Sequence, residues 1–177
     1  MKKKIIFFDA DGTLWYPKKT KRLENPKWIH HAHKDVRKLR KELTLVPNAK
    51  KTLSKLKKFG LKTVVLSVSP LPPREAKERL VGNLKHFGIL KYFDQVYATK
   101  KYMESKGEHM LKIIKKYNLK KGEALMVGDI YLWDFASAKK AGIKAVLFEH
   151  KYDPKPHHYN KVKAKLKDFE EVLKYVK

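Results

Sequence analysis

The chain has 177 residues, with 43 Lys plus Arg against 18 Asp plus Glu, a formal charge of +25, and no Cys. This length suits one domain with a substantial core, and the missing Cys excludes disulfides, thiol catalysis and Cys-ligated zinc. The basic start Lys2-Lys3-Lys4 leads into an apolar stretch that Asp9 ends too soon for a signal-peptide core, and no run reaches membrane length, so a cytoplasmic protein is expected.

The first predicted element is a buried strand over 5–8, apolar at every position. It opens into Asp9-Ala10-Asp11-Gly12-Thr13-Leu14. Alternate residues leave a strand on the same side, so Asp9 and Asp11 can face one space while Gly12 lets the chain bend. The segment 15–46 then interrupts the first strand-helix connection. It is basic, holds Pro17 and Pro26, and has a plausible helix with Ile29, Val36, Leu39 and Leu43 on one face. A piece this small folds only against something larger, so it is expected to lie over the core as a flap. Trp15 and Tyr16 either wall the entrance to the motif or belong to the core under the flap. His30, His31 and His33 read as flap surface or packing, since no carboxylate completes a zinc set around them. The basic run 34–41 reads as a solvated helix face.

A helix is predicted from Asn48, as its N-cap, through Leu53, Leu56 and Phe59 to a C-cap at Gly60. A strand over 63–68 follows, with Ser67 and Ser69 at its end, then a helix from Pro72-Pro73 to about Gly88 and a strand over 96–98. Lys106 heads a helix carrying Met110, Leu111, Ile114 and Tyr117. The strand at 124–127 ends in Gly128-Asp129, with Asp134 beyond it. A helix with Phe135, Ala138 and Ala141, a strand over 145–148, His157 and His158 in a Pro-containing loop, and a helix with Val162, Leu166, Phe169, Val172 and Val176 complete the chain. Strands alternating with helices predict an α/β fold, a Rossmann-like three-layer sandwich with a mainly parallel sheet. The residues between Ser67 and Lys106 are used up by a helix and a strand, which leaves no room for a large cap. A single domain over 1–177 with a flap at 15–46 is expected.

In an open parallel sheet the ligand crevice lies beyond the carboxyl ends of the strands. Asp9, Asp11, Ser67, Asp129 and Asp134 all follow such ends, and Lys106 heads a helix beside them. This order resembles the haloacid dehalogenase-like hydrolase superfamily, whose four motifs match Asp9-Ala10-Asp11-Gly12-Thr13-Leu14, Ser67, Lys106, and Gly128-Asp129 with Asp134. Thr13-Leu14-Trp15 with Pro17, Leu45-Val46-Pro47, and Ser105-Lys106 before His109 are similar to the magnesium-dependent phosphatase-1 family within it. Gly12 stands where those phosphatases often carry Tyr, and Gly128-Asp129 where they tend to have paired Asp.

A phosphate dianion repels a carboxylate nucleophile, so attack by Asp9 needs a hard cation such as Mg²⁺. The resemblance implies ligation by the Asp9 carboxylate, the Asp11 backbone carbonyl and the Asp129 side chain, with Asp134 acting through water or as an orienting group. It also implies an aspartyl-phosphate on Asp9 and proton transfer by Asp11, with Ser67 and Lys106 at the transferring phosphoryl group. The expected partner is a small phosphorylated substrate or a phosphoprotein, met by a monomer or a small homo-oligomer. The positive field would also attract nucleic acid, weakly and without sequence preference, although a Lys-rich, Cys-free surface equally fits a heat-adapted cytosolic protein. The rival readings are a nucleic-acid-end phosphatase and a non-catalytic basic RNA-binding module. A dehalogenase fits less well, because carbon-halogen chemistry needs no acid at Asp11.

Overall fold

The protein is described by a computed structural model that covers residues 1–25, 36–69, 71–100 and 105–177. Ile29, His30, His31, His33 and Lys34 lie outside the described residues. The main sheet has six strands: β1 (Ile5–Phe8), β4 (Lys62–Ser69), β5 (Gln95–Lys100), β6 (Ala124–Gly128), β7 (Lys144–Phe148) and β8 (Lys165–Leu166), in the order β5-β4-β1-β6-β7-β8. All pairings in it are parallel. Phe7 of β1 faces Val64 of β4 on one side and Met126 of β6 on the other, so the winding of the chain reverses at β1. Such a reversal opens a crevice above the carboxyl ends of the strands that flank it.

The apolar runs are continuous because both faces of the sheet are covered. Ile6 and Phe8 point into one core with Val65, Val127 and Val146, while Ile5 and Phe7 point into another with Val64, Leu66 and Met126. The first core takes Leu53 and Leu56 of α2 (Ala49–Lys58) and Leu80 and Leu84 of α3 (Pro73–His86). The second takes Met110, Ile113 and Ile114 of α4 (Lys106–Lys116) and Ala138 of α5 (Ser137–Lys140). The result is a three-layer α/β fold with no large cap among the described residues. No helix among the described residues is long and apolar enough to cross a membrane.

The segment expected as a flap is tied down at its root by a small antiparallel ribbon. β2 (Trp15–Pro17) pairs with β3 (Leu43–Leu45), Trp15 opposite Leu45, and α1 (Val36–Glu42) runs into β3. Leu39 and Leu43 are buried in the first core, which anchors α1 by its apolar side. Arg40 donates from Nε to Asn83 Oδ1 of α3 at 3.0 Å, so part of the basic run is bonded rather than solvated. His158 belongs to the short α6 (Pro156–Asn160) and stacks on Tyr131 at 5.3 Å, a packing role.

Two expectations are corrected. Asn48 does not cap α2 with its side chain; it takes a left-handed backbone and donates from Nδ2 to Asp168 Oδ2 at 2.9 Å. The last helix is replaced by β8 and a 3₁₀ segment, Phe169–Tyr175. Leu166 pairs with Phe148, and Asp168 and Glu171 then cap the next turn reciprocally. The apolar spacing of three from Leu166 to Phe169 to Val172 matches the 3₁₀ period better than the α period. Phe169 stacks on Phe8 and Phe148 with ring centroids 5.7 and 5.5 Å away, which makes this segment part of the core. Phe169→Ala is therefore expected to cost about 3–5 kcal/mol, read by urea unfolding. A loss below about 1 kcal/mol would mean that the segment merely rests on the sheet.

Candidate active site

Each functional side chain is placed by the end of a strand or the start of a helix. Asp9 continues β1 by one residue, its backbone N–H donating to Val127 O at 2.9 Å, so its carboxylate stands at the sheet edge. Ser67 is buried near the end of β4. Lys106 is the first residue of α4, behind an N-cap Ser105 whose Oγ accepts from Glu108 N–H at 3.2 Å. Its buried ammonium donates to Asp9 Oδ1 and to Asp134 Oδ1, both at 2.5 Å. Burial opposes that charge, but Asp134 and Asp9 more than offset it and raise the Lys106 pKa above the ordinary lysine value.

After β6 the chain enters a wide π-type turn, Tyr131–Ala136, which folds Asp134 back under the strand end. Asp134 Oδ2 accepts from the backbone N–H groups of Asp129 at 3.0 Å and Ile130 at 2.9 Å. A side chain at Gly128 would overlap the Asp134 carboxyl group, so this close approach requires glycine. With Lys106 on Oδ1 and two amides on Oδ2, Asp134 is committed to holding its neighbours.

Asp129 is gripped both from outside the expected motifs and from the first of them. Tyr152 donates its hydroxyl to Asp129 Oδ2 at 2.8 Å, and Thr13 Oγ1 approaches Oδ1 at 3.4 Å. His150 stacks on Tyr152 at 4.0 Å, and its Nε2 lies 2.6 Å from the Asp129 carbonyl oxygen. Because His150 Nδ1 accepts from the Tyr152 N–H at 3.1 Å, the ring proton belongs on Nε2, which donates to that carbonyl. Burial lowers the His150 pKa and keeps the ring neutral. Gly12 has φ +79°, and a Cβ there would collide with Asp129 Oδ2 and the Tyr152 hydroxyl. Tyr152 thus occupies space that any larger residue at position 12 would need. Arg22 donates from Nη1 to Gly12 O at 2.6 Å and lies 4.2 Å over the Phe148 ring, pinning the same turn from the flap root.

Asp11 Oδ1 accepts from Trp15 Nε1 at 2.7 Å. Trp15 is fully buried and stacks on Phe87 at 5.8 Å, so the open question about this aromatic resolves as core that also orients Asp11. Asp9, Asp11, Ser67, Lys106, Asp129 and Asp134 line a single cleft, together with Asn25, Val68, Ile130 and Trp133. The sequence reading missed Tyr152, His150 and Arg22, which lie far from the motifs along the chain and carry no pattern of their own. Thr13 was visible only as part of the first motif.

The electrostatics of the cleft are unbalanced. Oxygens of Asp9, Asp129 and Asp134 lie within 4.8 Å of one another, all three residues are buried, and Lys106 is the ammonium among them. Burial raises the pKa of Asp9 despite the opposing pull of Lys106. Burial, then repulsion from Asp9 and Asp134, raises that of Asp129 well above the ordinary range. A hard divalent cation would relieve this excess of negative charge, and an all-oxygen donor set suits Mg²⁺. The carboxylate of Asp11 is not in the cluster and is held by Trp15 instead.

Comparison with known proteins agrees with this architecture. A glyceraldehyde 3-phosphate phosphatase of Pyrococcus furiosus is 32% identical over 136 residues, 71% of this chain and 51% of the relative. The chain thus spans about half the length of that curated relative. A predicted phosphoglycolate phosphatase from Haemophilus somnus superposes with a TM-score of 0.75 at 20% identity, covering 100% of this chain and 99% of the other. A haloacid dehalogenase-like family hydrolase from Streptococcus pneumoniae superposes at 0.71 with 16% identity, covering 99% of each. These two likenesses concern the fold. The family profile for haloacid dehalogenase-like hydrolases matches residues 14–148, just past Asp9 and Asp11 and through to the end of β7. The chain belongs to the haloacid dehalogenase-like hydrolase family.

Proposed function

We propose that the protein is a Mg²⁺-dependent phosphatase that hydrolyses phosphate monoesters through an aspartyl-phosphate on Asp9. The observation that carries this reading is the state of Asp9. Lys106 holds its Oδ1 at 2.5 Å, and no donor among the described residues meets its Oδ2. One oxygen is fixed and the other stays available as a nucleophile, in a cleft that also holds Ser67 and Asp11. Family membership and the phosphatase names of the relatives support the same chemistry.

In the first step Asp9 Oδ2 attacks phosphorus as the bond to the leaving oxygen breaks, and that oxygen takes a proton from Asp11. In the second, water attacks the aspartyl-phosphate, Asp11 takes the proton back, and orthophosphate leaves with Asp9 restored. Trp15 aims Asp11 for both transfers. Ser67 and Lys106 meet the transferring oxygens, and Lys106 keeps Asp9 in line. Asp9 and Asp129 would hold Mg²⁺ with the Asp11 carbonyl, and the bound ion would neutralise phosphate charge. Asp134 orients Lys106 and the Asp129 backbone from behind, a supporting role. The substrate class is a small phosphate ester or a phosphoprotein, and we assign the protein to the cytoplasm. Contacts with nucleic acid, favoured by the charge of +25, belong to non-specific attraction.

The primary test is phosphate release from an aryl phosphate with and without Mg²⁺. Asp9→Asn should abolish it, because an amide is a poor nucleophile, while Asp11→Asn should keep beryllofluoride binding and lose about 100-fold or more in kcat. Turnover near wild type by a folded Asp9→Asn variant would sink the mechanism.

Mg²⁺ binding can be read without turnover. An Asp whose pKa is raised by folding binds more protons in the native than in the unfolded state, so stability falls as pH rises from its ordinary value through the raised one. The metal-free protein should therefore lose Tm over that window as Asp129 ionises, and Mg²⁺ should raise Tm more at pH 8 than at pH 5. An equal shift at both values would remove Asp129 from the ligand set.

Removal of the Tyr152 hydroxyl tests the support of Asp129. Tyr152→Phe keeps the ring stacked on His150 but frees Asp129 Oδ2, so affinity for Mn²⁺ as a spectroscopic stand-in should fall about 10-fold. Unchanged affinity would make Tyr152 a packing residue only.

A further inference from the structure

The chain leaving β2 makes a tight turn that aims one side chain inward. Lys21 takes a left-handed backbone, φ +49°, with its N–H donating to Pro17 O at 2.8 Å, and Leu23 N–H donates to Thr20 O at 2.9 Å. A lysine in that conformation costs about 1–2 kcal/mol and persists only where its surroundings hold it. Lys21 and Leu23 stay exposed, while Arg22 between them is turned onto the Phe148 ring of β7.

Arg22 ties the flap root to four other places in the chain. Its Nη1 donates to Gly12 O at 2.6 Å, its Cζ lies 4.2 Å from the Phe148 ring centroid and 5.4 Å from that of Tyr16, and its own carbonyl accepts from Lys151 N–H at 3.1 Å. Nη2 has no hydrogen-bond partner, so the two ring faces carry part of what holds the cation in place. Two of these ties end beside Asp129. Gly12 precedes Thr13, whose Oγ1 approaches Asp129 Oδ1, and Lys151 stands between His150 and Tyr152, which hold the Asp129 carbonyl and Oδ2. Glycine is the freest backbone a turn can contain. With the Gly12 N–H on Trp15 O at 2.8 Å and its carbonyl on Arg22, both peptide planes around it are fixed, and the first of them carries the Asp11 carbonyl.

We propose, resting on the reading of Asp9, Asp129 and the Asp11 carbonyl as the Mg²⁺ ligands, that Arg22 is a positioning residue of the metal site, clamping the Gly12 turn to the loop over 150–152 so that metal affinity depends on the seating of the flap root. It acts through Gly12 and Lys151 on the two walls that meet at Asp129. Linkage makes the dependence mutual, since a cation that binds the clamped arrangement better must itself hold the flap root in place. A purely structural anchor would stabilise the fold without distinguishing metal-bound from metal-free protein.

The experiment measures Mn²⁺ affinity by electron paramagnetic resonance on substrate-free wild type, Arg22→Met, Arg22→Lys and Leu84→Ala. Arg22→Met keeps a stem over the rings but loses the donor, and its affinity should fall about 10-fold or more. Arg22→Lys, whose ammonium can still donate to the Gly12 carbonyl, should recover part of that loss. Leu84→Ala removes buried packing from α3, which carries no residue of the site, so it should lower Tm and leave affinity within about twofold. Affinity that falls as far in Leu84→Ala as in Arg22→Met would mark the effect as general loosening and overturn the proposal, as would unchanged affinity in Arg22→Met. The double variant Arg22→Met with Tyr152→Phe tests the shared route: its loss should be clearly smaller than the product of the two single losses, and a full product would mean that the two residues act independently. Hydrogen exchange in the segment 18–24 reads the reverse direction. Mg²⁺ should slow it in wild type and not in Arg22→Met, and equal slowing in both would remove the link. Arg22-dependent Mn²⁺ binding in a protein that hydrolyses no phosphate ester would fault the phosphatase reading alone, whereas Mg²⁺-activated turnover with the same activation constant in wild type and Arg22→Met would fault the role of Arg22 alone.

Discussion

The Lys106 ammonium, bonded at 2.5 Å to both Asp9 and Asp134, is the interaction on which the cleft depends. Three buried carboxylates cannot share a small volume without a cation, because each loses hydration and repels the others. One ammonium lowers that cost without cancelling it, as the raised pKa values of Asp9 and Asp129 record. The protein accordingly keeps a local excess of negative charge that a divalent cation would complete. Lys106 comes from the start of α4, so the packing of Met110, Ile113 and Ile114 under the sheet also fixes the position of the nucleophile.

Around that pair the side chains divide by how much of their hydrogen-bonding capacity is spent. Asp134 has both oxygens engaged and Lys106 is shared between two acids, which makes them rigid. Among the described residues Asp9 keeps one oxygen uncommitted, the state expected of a group that must form a new bond. Asp129 lies between these extremes, held by Tyr152 on one oxygen and through its carbonyl by His150. Preorganisation of this kind removes the need to reorder the site when substrate arrives.

Much of the fold was legible because a parallel sheet covered on both faces writes itself as continuous apolar runs, and Ile5 to Phe8 or Ala124 to Val127 can hardly be anything else. The residues that end those runs were legible for the same reason, since a strand end fixes which way the next side chain points. Contacts made by loops far apart in sequence were not. Nothing in the run from His150 to Asp153 announces that Tyr152 will reach Asp129, because that contact depends on where β7 ends relative to β6. The last helix failed because a spacing of three fits both helical types, and the pairing of Leu166 with β7 decided between them. The capping role of Asn48 failed because Asp168, 120 residues away, offered its side chain a better partner.

The charge of the molecule acts on two scales. At distance the excess of +25 draws any anion toward the surface, and salt screens that attraction over about a Debye length. Inside the cleft the sign reverses, and a phosphate arriving there finds Asp9, Asp11 and Asp129 beside a Lys106 that is already paired. The surface field can raise the encounter rate, but it cannot hold a dianion among carboxylates. Binding must come from short-range groups, namely the cation the acids call for and the donors that remain unpaired. The basic surface therefore governs how often phosphate esters arrive, and the few uncommitted donors govern which of them stay.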